Sequence, residues 1–181
     1  MWLTVPLNYK FGELIKDVKI DNSKPWQKKH WNSIIANYSK APYFNQYKSI
    51  FEEFYTKKWE SLSELNTALI KKIAEILGIK TKIVLASEII DLTSKGPEAL
   101  LDICKTLKAT TYISGKDGEK YISEEMKKKF KDAKIKIVFQ DYKHPEYKQN
   151  YPEFEPYMCI LDLIFNYGPN SLKIISENQQ K

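Results

Sequence analysis

Three short apolar runs in the second half of the chain, 82–86, 110–113 and 135–139, are each followed at once by polar residues: Ser87-Glu88, Ser114-Gly115 and Gln140-Asp141. The stretches between them are long enough for a helix and carry helical apolar spacing, so the alternation predicts strand, helix, strand, helix, strand. Crossovers of this length go with parallel pairing and right-handed connections. The expected fold class is therefore α/β, a parallel or mostly parallel sheet with helical crossovers. Ligands of open α/β sheets bind outside the carboxyl ends of the strands. The three polar sets are thus expected to share one rim, which is the candidate site.

The first half reads differently. Trp2 to Pro6 is expected to be a strand ended by proline, and Leu14 to Asp21 a second extended segment. Pro25 suits a first helical turn, and Trp26, His30, Ile34 and Tyr38 recur every four residues as one face of a helix. Ala41-Pro42 breaks it. Tyr43, Tyr47, Ile50, Phe51 and Phe54 mark a second helix, and Ser61 with Glu64 forms a capping box ahead of a third, which Gly78 ends. Further on, Pro97 opens a helix carrying Leu100, Leu101, Cys104 and Leu107, Ser123 caps another, and 156–167 reads as a closing helix. No repeat or linker interrupts the 181 residues, so a single domain over 1–181 is expected, with a helical segment after the N-terminal strands.

A formal charge of +6 raises the question of nucleic acid, but all 29 basic residues are lysine. Bidentate guanidinium contacts to guanine or phosphate are absent from such a chain. Lys127, Lys128, Lys129 and Lys131 lie beside Met126 and Phe130, four apart on an expected helix, as a solvated face would. No specific nucleic acid is expected. No apolar run is long enough for membrane insertion, and the opening residues lack the regions of a signal peptide, so the expected address is cytoplasmic. Cys104 and Cys159 fall in apolar helical patterns without metal or redox spacing and are expected to be buried thiols. With only His30 and His144 in the chain, no metal and no cofactor is expected.

Several motifs occur in order along nearly the whole length: Trp2-Leu3-Thr4-Val5-Pro6, Trp26 with Lys29-His30, Lys40-Ala41-Pro42-Tyr43-Phe44, Leu77-Gly78-Ile79 and Ser87-Glu88. They continue with Tyr112-Ile113-Ser114-Gly115, Gly118, Lys120-Tyr121, His144-Pro145-Glu146-Tyr147, Gln149 and the run from Ile160 to Asn166 before Gly168. Together they resemble the WbqC-like family. The resemblance implies a role in surface-polysaccharide assembly such as O-antigen, as a transferase of an acyl or aminoacyl group, glycyl for example, to an amino sugar. A nucleotide-sugar or small-molecule substrate and an acyl or aminoacyl carrier protein are the partners it implies. Family members usually begin several dozen residues earlier, with a further strand and a His-Gln-Pro type loop. The expectations that follow are a misplaced start, a separate polypeptide carrying that part, or a shortened variant. Losing a central strand would uncover apolar faces, which allows an unstable, homodimeric or inactive form.

His144 is the first candidate for chemistry. In a polar, proline-stiffened loop, its imidazole either removes the proton from an attacking sugar amine or holds the loop through a hydrogen bond. Ser114-Gly115 offers exposed N–H groups to a phosphate or a developing oxyanion, or is a plain strand-ending turn. Ser114 as a nucleophile lacks a sequence signature for its base. Lys120 and Tyr121 are candidates for a phosphate and a sugar ring, and Tyr147 and Gln149 for further hydrogen bonds; ordinary loop roles remain open for all four. Ser87 lines the expected rim, and Glu88 either orients His144 or caps the turn after its strand. Asp162 and Asn166, four apart on the closing helix, share a face that supports the site or fastens a loop.

Overall fold

The computed structural model describes residues 2–177. The chain forms two compact units: one is built from Met1–Lys80 with His144–Lys181, the other from Thr81–Lys143.

The first unit opens with a two-residue antiparallel pair, β1 (Leu7–Asn8) and β2 (Lys19–Ile20). The expected strand over Trp2 to Pro6 is not formed, and Trp2 is almost fully exposed. Three helices follow: α1 (Trp26–Tyr38), α2 (Phe44–Thr56) and α3 (Leu62–Ile76). Each has the apolar face that its spacing predicts. Ser61 caps α3 by accepting the Glu64 N–H, and Gly78 closes it at φ +72°, where a Cβ would be strained.

The second unit begins with the largest departure from expectation. Residues 82–86 do not form a strand; the chain is irregular to Leu85, and Ala86–Ile89 makes the single turn α4. A strand needs a neighbour for its backbone donors and acceptors, and the described residues give this run none. A short apolar run also looks the same in coil, helix or strand. Next come α5 (Gly96–Thr106, with Pro97 in its first turn), β3 (Thr111–Gly115), α6 (Gly118–Tyr121), α7 (Glu124–Asp132) and β4 (Lys136–Gln140). β3 and β4 pair in parallel, with Ser114 opposite Phe139 and Gly115 opposite Gln140. The fold is thus mixed α/β and its parallel sheet has two strands, not three. Leu101, Cys104, Ile122, Met126, Phe130 and Ile135 form this unit's core.

Returning to the first unit, the chain runs through a long irregular loop to α8 (Ile160–Tyr167) and α9 (Ser171–Glu177). The closing helix therefore starts four residues later than 156 and is followed by another. Ile164 and Phe165 of α8 are fully buried with Trp31, Ile34, Phe44, Tyr47 and Phe51. Cys159 is exposed just before α8, contrary to expectation, because the helix that would have buried it begins after it. Among the described residues no helix is long and apolar enough to cross a membrane.

Candidate functional site

In the first unit, candidate residues converge on the loop 144–157 and the start of α8. Asp162 sits in the first turn of α8 and is only 4% exposed. Its Oδ2 accepts from Gln149 Nε2 at 3.0 Å. The same Gln149 amide donates to the Glu155 carbonyl at 2.9 Å, while its Oε1 accepts the Glu155 N–H at 2.8 Å. One side chain therefore closes the loop on itself and fastens it to α8. Asn166, one turn on, donates to the Asp162 carbonyl at 2.8 Å, so these two share a face and a bond. The phenol of Tyr38, at the end of α1, is pushed well above its ordinary pKa, first by burial and then by the Asp162 charge.

His144 stands half-buried among the rings of Tyr157, Phe154 and Tyr147, at centroid distances of 4.8, 5.9 and 6.2 Å. Its Nε2 accepts the Tyr157 backbone N–H at 3.2 Å. In the neutral ring the proton is therefore on Nδ1, and the Nε2 lone pair faces Tyr157. Tyr157 has φ +59°, a left-handed conformation unusual for a bulky residue, and its side chain is 79% exposed. A non-glycine residue in this conformation, bonded through its N–H to a histidine among aromatic rings, is the sort of feature that collects at sites. The loop is pinned elsewhere too: Lys148 N–H donates to the Tyr167 hydroxyl at 3.0 Å, and Asn150 Nδ2 donates to the Asn37 carbonyl at 2.9 Å.

In the second unit, the two strand tips lie side by side as their parallel register requires. Lys116 Nζ and Asp141 Oδ1, one just beyond each tip, are 2.9 Å apart; the ion pair raises the lysine pKa and lowers that of the aspartate. Ser114 is 2% exposed, and its Oγ makes no hydrogen bond of ordinary geometry among the described residues. Its hydroxyl is aimed at α6, so that a Cβ on Gly118 would collide with Ser114 Oγ and come within 3.3 Å of Phe139. Gly115 is exposed, with open space where a Cβ would stand. Lys120 pairs with Asp117 at 2.6 Å, both well exposed, and Tyr121 is half-exposed. An exposed pair of this kind is worth little and is readily exchanged for a ligand contact. Ser87 and Glu88 are exposed on α4 and make no hydrogen bond or ion pair with Ser114 or Gly115 among the described residues.

Lys116 and Tyr157 are not candidates from sequence, whereas Asp141 belongs to the expected rim, Tyr38 reads as part of a helix face and Gly118 as a motif residue. A left-handed tyrosine has no sequence signature. Among the described residues no three or more histidine, cysteine or acidic side chains are grouped to hold a metal.

The profile of one protein family matches residues 1–174. The chain belongs to the WbqC-like protein family. A WbqC-like relative, the uncharacterized protein Rv1507c of Mycobacterium tuberculosis, is 33% identical over 171 residues, covering 92% of this chain and 72% of its own length. No solved structure matches. Every site candidate from Ser87 to Asn166 falls inside the WbqC-like match.

Proposed function

We propose that the chain is a transferase of surface-polysaccharide biosynthesis, of the O-antigen type, moving an acyl or aminoacyl group onto a nucleotide-linked amino sugar. Membership in the WbqC-like family carries the reading, and the half-buried imidazole of His144 supplies the chemistry it needs. The amine nitrogen attacks the carbonyl carbon of an activated ester or thioester; the C–N bond forms and the bond to the leaving oxygen or sulfur breaks. His144 takes the amine proton at Nε2, giving up a 3.2 Å bond to Tyr157, and returns it to the leaving group. Gln149 and Asp162 hold the loop that carries it. Tyr147 lines the imidazole.

One observation favours a second reading. The Nε2 lone pair already serves the Tyr157 N–H, as a loop-holding histidine would, and the chain would then be a non-catalytic binding or scaffolding subunit. Surface glycan from a strain lacking the gene separates the function from an unrelated one: the expected result is loss of an amide-linked substituent from an amino sugar, restored by the wild-type gene. Restoration by a His144→Ala gene supports the scaffold, and an unchanged glycan contradicts both readings.

A further inference from the structure

In the second unit, α7 packs along β4 and leaves a cavity of about 570 Å³ beside the strand. It is lined by four lysines, Lys127, Lys131, Lys134 and Lys136, and by Ile137 and Phe139. The volume is within the range of small-molecule sites. Lys127 and Lys131 are one turn apart on α7 and so face the same way. Lys134 and Lys136 come from the turn after the helix and the first residue of the strand. The local chain path thus brings four lysines to the lining of one concavity.

Three of the four cavity lysines have no acidic partner among the described residues, as is also true of Lys128 outside the cavity. Lys129 is engaged by Glu98 at 2.8 Å and Glu125 at 3.2 Å. Lys131, Lys134 and Lys136 make no ion pair among the described residues, and Lys127 has only the exposed Glu124. Lys127 Nζ also stands 6.0 Å from the centroid of the Phe139 ring, so one cation and one aromatic wall share the cavity. Lysines commonly shield an unpaired strand edge, and β4 pairs with β3 alone among the described residues. Shielding needs charges spread along an edge; it does not need an apolar wall among them.

We infer that this cleft binds a diphosphate-bearing ligand of the nucleoside diphosphate class, its phosphates among the ammonium groups and its flat ring against Phe139. Lysine acts on phosphate as a point charge, and three or four such charges match the two to three negative charges of a diphosphate. In naming a nucleotide the inference rests on the transfer reading, whose acceptor carries one, but its test needs no turnover.

Calorimetric titration with inorganic pyrophosphate and with uridine diphosphate at physiological salt tests it. The wild type is expected to bind both saturably, the uridine compound more tightly, and a Lys131→Gln/Lys136→Gln variant at least tenfold more weakly. Lys128→Gln removes the same charge from the same helix outside the cavity and is expected to bind as wild type does. Phe139→Leu is expected to remove the preference for the nucleotide and to leave pyrophosphate unchanged. No saturable binding, equal binding by the double variant, loss in Lys128→Gln as well, or retention of an acidic peptide in place of both phosphates overturns the inference. Failure here leaves acyl transfer to be judged by its own assay. Intact binding without transfer contradicts only the transfer reading.

Discussion

The side-chain amide of Gln149 donates to the buried carboxylate of Asp162 at 3.0 Å and holds Glu155 from both sides with its remaining groups. Replacing it by leucine removes three bonds and leaves a buried carboxylate oxygen without this donor. The expected cost is roughly 2–4 kcal/mol, with hydrogen-exchange protection lost at the Glu155 N–H while that of α2 is kept. Unchanged protection at Glu155 would show that the loop is held by other means.

Ser114 and Gly118 compete for one space. Gly118→Ala drives a methyl into Ser114 Oγ and is expected to lower stability by about 1–3 kcal/mol, read as a shift in the urea midpoint. Ser114→Ala alone is expected to cost no more than about 1 kcal/mol, since its buried hydroxyl has at most a poorly aligned bond to the Tyr112 phenol to lose. Combined with Gly118→Ala it should recover most of the loss. Additive losses in the double variant would contradict the shared space.

Gly168 ends α8 at φ +51°, and a Cβ there would run into the Tyr43 ring. Strain and overlap act together, so Gly168→Ala is expected to cost roughly 2–4 kcal/mol. A Tyr43→Ala background should remove the overlap and leave the strain, reducing the cost without abolishing it. Thermal unfolding of the four proteins in the cycle checks this.

Acidification should act through His30. Its ring is buried edge-on to Trp26, with Nε2 donating to the Thr4 carbonyl at 3.2 Å. Burial lowers its pKa, the Thr4 bond opposes this, and Lys29 adds to the lowering. In the window from 6.5 down to its lowered folded pKa, the unfolded chain binds a proton that the folded chain refuses. Its contribution to stability is therefore complete above pH 6.5 and lost as pH falls through the folded pKa. A His30→Phe variant should show a flatter stability profile between pH 7 and 5. A profile identical to that of the wild type would assign the acid sensitivity elsewhere.

What the sequence made legible was local. The Ser61 and Ser123 caps, the Gly78 stop, the α1 face of Trp26, His30 and Ile34, and both strands of the parallel pair follow from spacing over a few residues. The run 82–86 misled because an apolar pentamer says nothing about whether a ladder partner exists. Within the candidate site, Asp162 and Asn166 could be put on one face by counting, and Gln149 named as a polar loop residue. That Gln149 meets Asp162, or Asn150 meets Asn37 across 113 residues, depends on where the loop returns after another unit has intervened. The left-handed turn at Tyr157, which aims a backbone N–H at His144, is likewise a property of the closed loop and of no local pattern.

The most direct measurement is mass spectrometry of a uridine-diphosphate-linked amino sugar incubated with the purified chain and a thioester-activated glycyl donor. The account predicts a product heavier by one glycyl group, formed by the wild type and lost in His144→Ala protein that keeps the wild-type circular dichroism. Equal product from that variant would contradict the assigned base, and no product from the wild type with any aminoacyl or acyl thioester would contradict the transfer itself.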